Sequence, residues 1–249
     1  MIKHYRIHEV SEYIDWIYFF HAWGFSPRKT QTPEAIQLLQ EAKEMLELLD
    51  KNFQTHTVLR LMDANSEEND IWIEGTRFPF LRQQTAKEEE PYLCLSDFIR
   101  PSSSKITDKI GLFATTVDAE MEQLYTEDPY LHMLVKTLAD RLAEATAEKT
   151  HDTIRKEFQG IRPAVGYPSL PDQSVNFLLD ELLDMKRIGI HLTENGMMQP
   201  HASVSGLIFT HPASRYFSVG KIDEQQLKDY AIRRGLPIGQ MRKFLARNL

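Results

Sequence analysis

The sequence predicts an α+β fold built on an antiparallel sheet, and three observations carry that prediction. Strand-like and helix-like stretches come in separate runs, without the strand–helix–strand alternation that builds a parallel sheet. The longest periodic stretch, Asp128 to Phe158, sets Leu131, Leu134, Val135, Leu138, Leu142, Ala145 and Ile154 at helical spacing, as one central helix requires. Of the 249 residues, 42% are hydrophobic and 26% charged, which suits a packed core and argues against a disordered or coiled-coil chain. That length allows one large domain or two small ones.

An aromatic-rich opening, Tyr13 to Phe25, leads through a loop at Ser26–Gln31 to Thr32-Pro33-Glu34. There an N-cap, a first-turn proline and an early carboxylate start a helix, which Ile36, Leu39, Met45, Leu46 and Leu49 carry from Pro33 to Lys51. Thr55–Met62 and Asp70–Glu74 read as strands joined by a polar loop, Asp63–Asn69. Arg77–Leu81 and Tyr92–Phe98 are short extended candidates on either side of a polar turn or loop, Gln83–Glu90. Lys109–Val117 is an apolar strand candidate, ending where Asp118 can cap a short helix, and Asp128-Pro129 opens the long one. Unbroken, that helix extends to about 45 Å. Four prolines and glycines, Pro163, Gly166, Pro168 and Pro171, exclude regular structure from Gly160 to Pro171. Gln173–Met185 is helical, while Ile190–Leu192, Ser203–Phe209 and Tyr216–Ile222 alternate as antiparallel strands. Asp223 with Gln226 resembles a capping box, Gly235 a helix stop, and Pro237 opens a final helix to Ala246.

Composition narrows the function classes. The longest apolar stretches, such as Trp16 to Phe20, fall far short of the roughly 20 residues of a membrane span, and Met1–Glu12 has no apolar core of a signal peptide. A lone cysteine, Cys94, excludes an internal disulfide framework and suits a cytoplasmic protein. With 29 basic against 36 acidic residues the net charge is −7, the wrong sign for nucleic acid. The basic pairs Arg233-Arg234 and Arg242-Lys243 read as solvated helix faces, and the acidic balance leans to protein or small-molecule partners. Phosphate loop, GxGxxG, HExxH and GxSxG are all missing, so nucleotide-loop, zinc-protease and serine-hydrolase chemistries lack support. The flanking Leu93 and Leu95 mark Cys94 as a core residue rather than a nucleophile.

One segment holds more chemistry: Gly160-Ile161-Arg162-Pro163-Ala164-Val165-Gly166-Tyr167-Pro168. Prolines fix φ and glycines allow tight turns, so this stiff loop can aim Arg162 and Tyr167 and expose carbonyls to a ligand. Arginine forks a carboxylate, and tyrosine offers a ring face and a hydroxyl. Local chemistry alone leaves a second reading open, a rigid connector whose arginine makes a structural salt bridge.

Arg-Pro-Ala-x-Gly-Tyr-Pro resembles the reactivation domain of cobalamin-dependent methionine synthase, its C-terminal module. Further matches run in order along nearly the whole chain: Tyr13-Ile14-Asp15-Trp16, Leu81-Arg82-Gln83-Gln84, Cys94-Leu95-Ser96-Asp97-Phe98, Ile110-Gly111-Leu112-Phe113-Ala114, Leu138 to Ala145, Ala202-Ser203-Val204-Ser205-Gly206, and Ser214-Arg215-Tyr216-Phe217. The resemblance implies one curved α+β domain over residues 1–249, with a twisted antiparallel sheet and helices around it. It implies S-adenosylmethionine as ligand, at Asp15, Arg162, Ala164, Tyr167, Tyr216 and Phe217, with Glu144 on the long helix tuning the site. Arg162 would fork the ligand carboxylate, Asp15 receive its ammonium, and aromatic faces flank its sulfonium or adenine.

Implied with the ligand is a job: presenting its methyl group to cob(II)alamin while flavodoxin or a similar donor supplies an electron. No catalytic acid or base and no metal ligand is expected. The sequence has no Asp-x-His-x-x-Gly corrinoid motif, so the cobalamin is expected on a separate corrinoid-binding methionine synthase chain, with no nucleic-acid or membrane partner. Two other readings stay open: a non-catalytic binding module and a small-molecule methyltransferase. The chain departs from the family's pattern at Phe217, where a second tyrosine is common, at Ser169-Leu170 in place of Ala-Cys, and at Lys156 in place of a glutamate. Its connection from long helix to loop is also shorter.

Overall fold

A computed structural model describes residues 1–85, 90–156 and 158–249. Its elements are Ile2–Arg6 (β1), Ile7–Val10 (α1), Trp16–Ala22 (α2), Pro33–Leu49 (α3), Gln54–Glu67 (β2), Asp70–Ile73 (β3), Thr76–Pro79 (β4), Asp108–Val117 (β5), Pro129–Asp152 (α4), Val175–Leu183 (α5), His191–Leu192 (β6), Met198–Gln199 (β7), Ser203–Phe209 (β8), Glu224–Arg234 (α6) and Ile238–Phe244 (α7). The main sheet runs β4-β3-β2-β5-β8 with β1 also on β2, and every pairing is antiparallel. The fold is α+β with an antiparallel sheet, as the separate strand and helix runs predict.

Alternation along β5 divides the core. Ile110, Leu112 and Ala114 pack on one face with Leu207, Phe209 and the α5 residues Leu179 and Leu183. Phe113 and Val117 point to the other, where Ala143 and Leu138 of α4 lie. Small residues let that helix come close: Ala139, Ala143 and Ala147 are all fully buried, and Thr115 Oγ1 donates to the Ala143 carbonyl at 2.9 Å. Asp128 starts α4 by accepting the amides of Tyr130 and Leu131 at 3.0 Å each.

The free edge of β8 is covered by the proline-rich segment. Gly160 N donates to Phe209 O, Phe209 N to Ile161 O, Leu207 N to Pro163 O, and Val165 N to Ser205 O, at 2.9–3.2 Å. This is a strand's hydrogen-bond ladder without strand regularity: Pro163 contributes only its carbonyl. The carbonyls of Ile161 and Pro163 are therefore spent on β8, and the expectation that the loop exposes them to a ligand is corrected. Gly206, opposite Phe113 in the β5–β8 register, makes this approach possible. A Cβ there would overlap the Pro163 carbonyl oxygen and come within 2.9 Å of the Ala164 Cα and a Phe113 ring carbon.

Several sequence expectations need correction. The proposed polar loop 63–69 is mostly strand: β2 continues to Glu67 because Ala64 and Ser66 turn inward while Asp63 and Glu67 face water, and β3 pairs along them. Ile2–Arg6, which carries no clear strand signal, pairs with β2 and buries Tyr5. Instead of an extended run, Tyr92–Phe98 makes one bridge, Arg82↔Cys94, then a 3₁₀ turn in which Asp97 accepts the Cys94 amide and is forked by Arg82 at 2.7–2.8 Å. Tyr216–Ile222 is not a strand: Gly220 turns at φ +71°, and the amides of Val219 and Ile222 reach Pro168 O and Asn248 O. The long helix stops at Asp152, short of Phe158, where His151 Nε2 meets the Phe158 carbonyl at 3.1 Å. Half of Gln83–Glu90, residues 86–89, lies outside the described residues. No described helix is long and apolar enough to cross a membrane.

Arg233 and Arg234 are not a solvated face. Arg233 pairs with the buried Asp70. Arg234, 4% exposed, reaches Asp172 at 3.4 Å, Ser174 Oγ at 2.8 Å and the Ser174 carbonyl at 2.9 Å. Tyr230 donates to the same Asp172 at 2.8 Å, and complete burial holds its hydroxyl well above the ordinary tyrosine range. α6 is thereby tied to the chain that follows the proline-rich segment.

Two stability measurements follow. Gly206→Ala should lose about 1–3 kcal/mol in denaturant unfolding, because the segment on β8 must move outward; an unchanged midpoint would mean the ladder is not close-packed. Arg234→Ala should cost about 3–5 kcal/mol by leaving Asp172 buried without its cation, whereas Arg242→Ala, whose partner Glu224 is exposed, should leave the midpoint in place.

Candidate functional site

A cleft of about 810 Å³ opens between α4, the start of α2, the proline-rich segment and Tyr216-Phe217. Its volume suits a ligand of cofactor size. Asp15, Glu144, Arg162, Ala164, Tyr167, Tyr216 and Phe217 all line it, so residues scattered over two hundred positions meet in one place.

Arg162 is the most constrained. Ladder bonds on either side turn its amide away from β8, and that amide donates to the Tyr216 hydroxyl at 3.0 Å. Its guanidinium, 12% exposed, lies over the Phe113 ring at 5.2 Å, and Nη2 reaches Glu148 Oε2 at 3.2 Å. The buried Nε has no acceptor among the described residues. An arginine held this way has donors available to a carboxylate, whose second oxygen would satisfy that atom.

Ala164 is buried, its backbone bridged to Gly206. Gly166, at φ +87°, then turns the chain, with its amide on Leu170 O at 2.8 Å, and sets Tyr167 over the cleft. The Tyr167 hydroxyl donates to Glu144 Oε1 at 2.6 Å. Desolvation against the cleft wall and the adjacent carboxylate push that hydroxyl well above the ordinary tyrosine range, so it stays a donor at neutral pH.

Asp15 caps α2, taking the Ile17 amide on Oδ1 at 2.9 Å. Its Oδ2 accepts no hydrogen bond among the described residues, and the residue is exposed at the cleft mouth, a place for a ligand cation. Phe217 packs its ring on Phe98 at 6.3 Å. Ser169 clips Phe217 at both main-chain groups, accepting its amide at 3.1 Å and donating to its carbonyl. The serine that departs from the family's pattern thus fastens Tyr216 beside Arg162.

Sequence reasoning missed Tyr18, Arg141 and Glu148, which also line the cleft. Arg141 stacks over Tyr18 at 5.8 Å. A signal for two of them existed: 141, 144, 145 and 148 share one helical face. Buried His151, one turn on, has its pKa lowered mainly by burial. Together the groups offer a carboxylate fork, an acidic receptor for a cation, and tyrosine faces, a set matched to an amino-acid head group joined to a flat or cationic moiety.

Comparison with known proteins gives the family. The family model described as the vitamin B12 dependent methionine synthase activation domain matches residues 6–235. A solved structure described as the MetH reactivation domain bound to AdoHcy is 36% identical, with a TM-score of 0.92, and the match covers 100% of this chain and 90% of that one. The chain belongs to the activation-domain family of vitamin B12-dependent methionine synthase.

Proposed function

We propose that the cleft binds S-adenosylmethionine and that the chain, read as one domain over residues 1–249, supports reductive methylation of cob(II)alamin carried on a partner chain, a corrinoid-binding methionine synthase of the cytoplasm. The observation that carries this reading is the buried Arg162, with an unengaged Nε, in a cleft shared with Asp15, Tyr167 and Tyr216. AdoHcy, held by the similar structure, is the same ligand without its methyl group. The family match takes up residues 6–235, so the corrinoid must come from outside them.

When bound, the ligand supplies a sulfonium methyl group that, with one electron from flavodoxin or a similar donor, converts cob(II)alamin to methylcobalamin and leaves S-adenosylhomocysteine. The chain's own residues position. Arg162 takes the ligand carboxylate, pre-aimed by its amide bond to Tyr216 and by the Phe113 ring beneath it. Asp15, fixed as a helix cap, receives the ammonium. Tyr167 and Tyr216 present ring faces to the cationic and aromatic parts, and Ala164 and Phe217 complete the wall. Glu144 orients Tyr167 through their 2.6 Å bond. No proton needs to move, so none of these groups acts as acid or base; the contribution is orientation.

Calorimetry should show S-adenosylmethionine binding that Arg162→Ala weakens by about 2–3 kcal/mol, the scale of a lost charge-assisted bidentate bond; equal affinity in the variant would remove Arg162 from the site. Mixed with a corrinoid-carrying methionine synthase chain, reduced flavodoxin and S-adenosylmethionine, the wild-type protein should convert the cob(II)alamin spectrum to that of methylcobalamin. No conversion with all components present would reject the reactivation role.

A further inference from the structure

Arg162 already has a carboxylate partner within the chain. Its Nε and Nη2 lie on one edge of the guanidinium, the edge a two-oxygen ligand carboxylate would fork. Glu148 Oε2 takes Nη2 alone, at 3.2 Å, and leaves Nε unengaged. The other oxygen of Glu148 is turned to Arg155, whose Nη2 donates to Oε1 at the shorter distance of 2.6 Å. Arg155 is itself braced by Asp152, at 3.3 Å from its Nε. Glu148 thus stands between two arginines, closer to the one outside the cleft. At 40% exposed it can leave Arg162 without becoming a buried, unpaired charge.

From this we infer that Glu148 is a resident competitor for the Arg162 fork, with Arg155 drawing it away, so that the pair sets how strongly the cleft selects ligands bearing a carboxylate. The inference rests on the reading of the cleft as the S-adenosylmethionine site. A largely buried arginine is kept neutralised by one weak contact, and a ligand that brings two oxygens displaces it while Glu148 stays with Arg155. A ligand without the carboxylate has nothing to exchange for the contact it meets. Glu148 is therefore a specificity-determining residue acting through Arg162, and Arg155 a positioning residue acting through Glu148.

The test compares S-adenosylmethionine with its decarboxylated analogue by calorimetry, reading the ratio of the two dissociation constants. A ratio cancels the fraction folded. The decarboxylated analogue carries one more net positive charge, so the general pull of a negative charge does not cancel, and the double variant, whose net charge equals that of the wild type, separates the two effects. In Glu148→Gln the preference for the carboxylate-bearing ligand should rise about threefold to fivefold, the scale of a partly exposed ion pair. Arg155→Gln should lower it, since Glu148 is then left to Arg162, and the double variant should match Glu148→Gln. A ratio that is unchanged or falls in Glu148→Gln overturns the inference and makes Glu148 a support for Arg162. If Arg162→Ala does not move the ratio, the reading of the cleft fails, and the inference with it.

Discussion

The structure depends on one backbone contact, the ladder between residues 160–165 and the outer edge of β8. An uncovered edge strand would present unpaired amides and carbonyls to solvent and to other chains. Here the neighbour is a segment whose proline removes one donor where the ladder calls only for a carbonyl. Because successive backbone groups of an extended chain alternate in direction, the ladder that takes the carbonyls of Ile161 and Pro163 turns the amide of Arg162 outward, onto Tyr216. Sheet closure and ligand-site geometry are the same set of bonds. Gly206 is their steric condition, since only a residue without Cβ lets two backbones and the Phe113 ring share that space.

The second determinant is α4, which works on both sides. Its alanines and threonines face the sheet, and short side chains bring the axis close enough for Thr115 and Thr150 to bond across, Thr150 to Thr57 at 3.1 Å. On the flank away from the sheet, Arg141, Glu144 and Glu148 are spaced one turn apart along the cleft. Close packing makes that flank rigid, so a carboxylate placed on it is placed to within a side chain's own rotamers. Neighbouring Lys149 lies between the rings of Tyr5 and Tyr13 at 5.4 and 5.2 Å, joining the helix to β1 and to the segment before Asp15. The two walls of the cleft are thus held by the same helix.

How much of this was legible in the sequence depended on the kind of signal. The start of α4 was readable because Asp128 and Pro129 act locally, and the prolines of 160–171 announced irregular backbone for the same reason. The seven candidate site residues came from a motif pattern, and they do share a cleft. What stayed hidden was determined by distant partners. Ile2–Arg6 is a strand because β2 lies beside it, and Tyr216–Ile222 is not one because Pro168 and Asn248 take its amides first. Arg233 and Arg234 look like a surface pair until Asp70 and Asp172, far away in sequence, are brought to meet them. Ala64 and Ser66 hid a strand's inward face because small residues give hydropathy little to alternate with.

Charge placement explains why the cleft can be pre-formed in an acidic protein. Moving a guanidinium out of water is costly unless a ring face and a carboxylate replace the water. Phe113 and Glu148 do so for Arg162, so the cation stands ready before any ligand arrives. Tyr167 is handled in the opposite way: desolvation and Glu144 keep its proton on, so a neutral donor rather than an anion faces the cleft. Asp15 is left at the mouth, where water supports its charge and a helix amide fixes its direction. A ligand with separated opposite charges meets each of its own charges with the complement, and a ligand of one sign only meets repulsion at one end. On the proposed reading of the cleft, selectivity for a zwitterionic head group follows from where each charge is allowed to stay hydrated and where it is not.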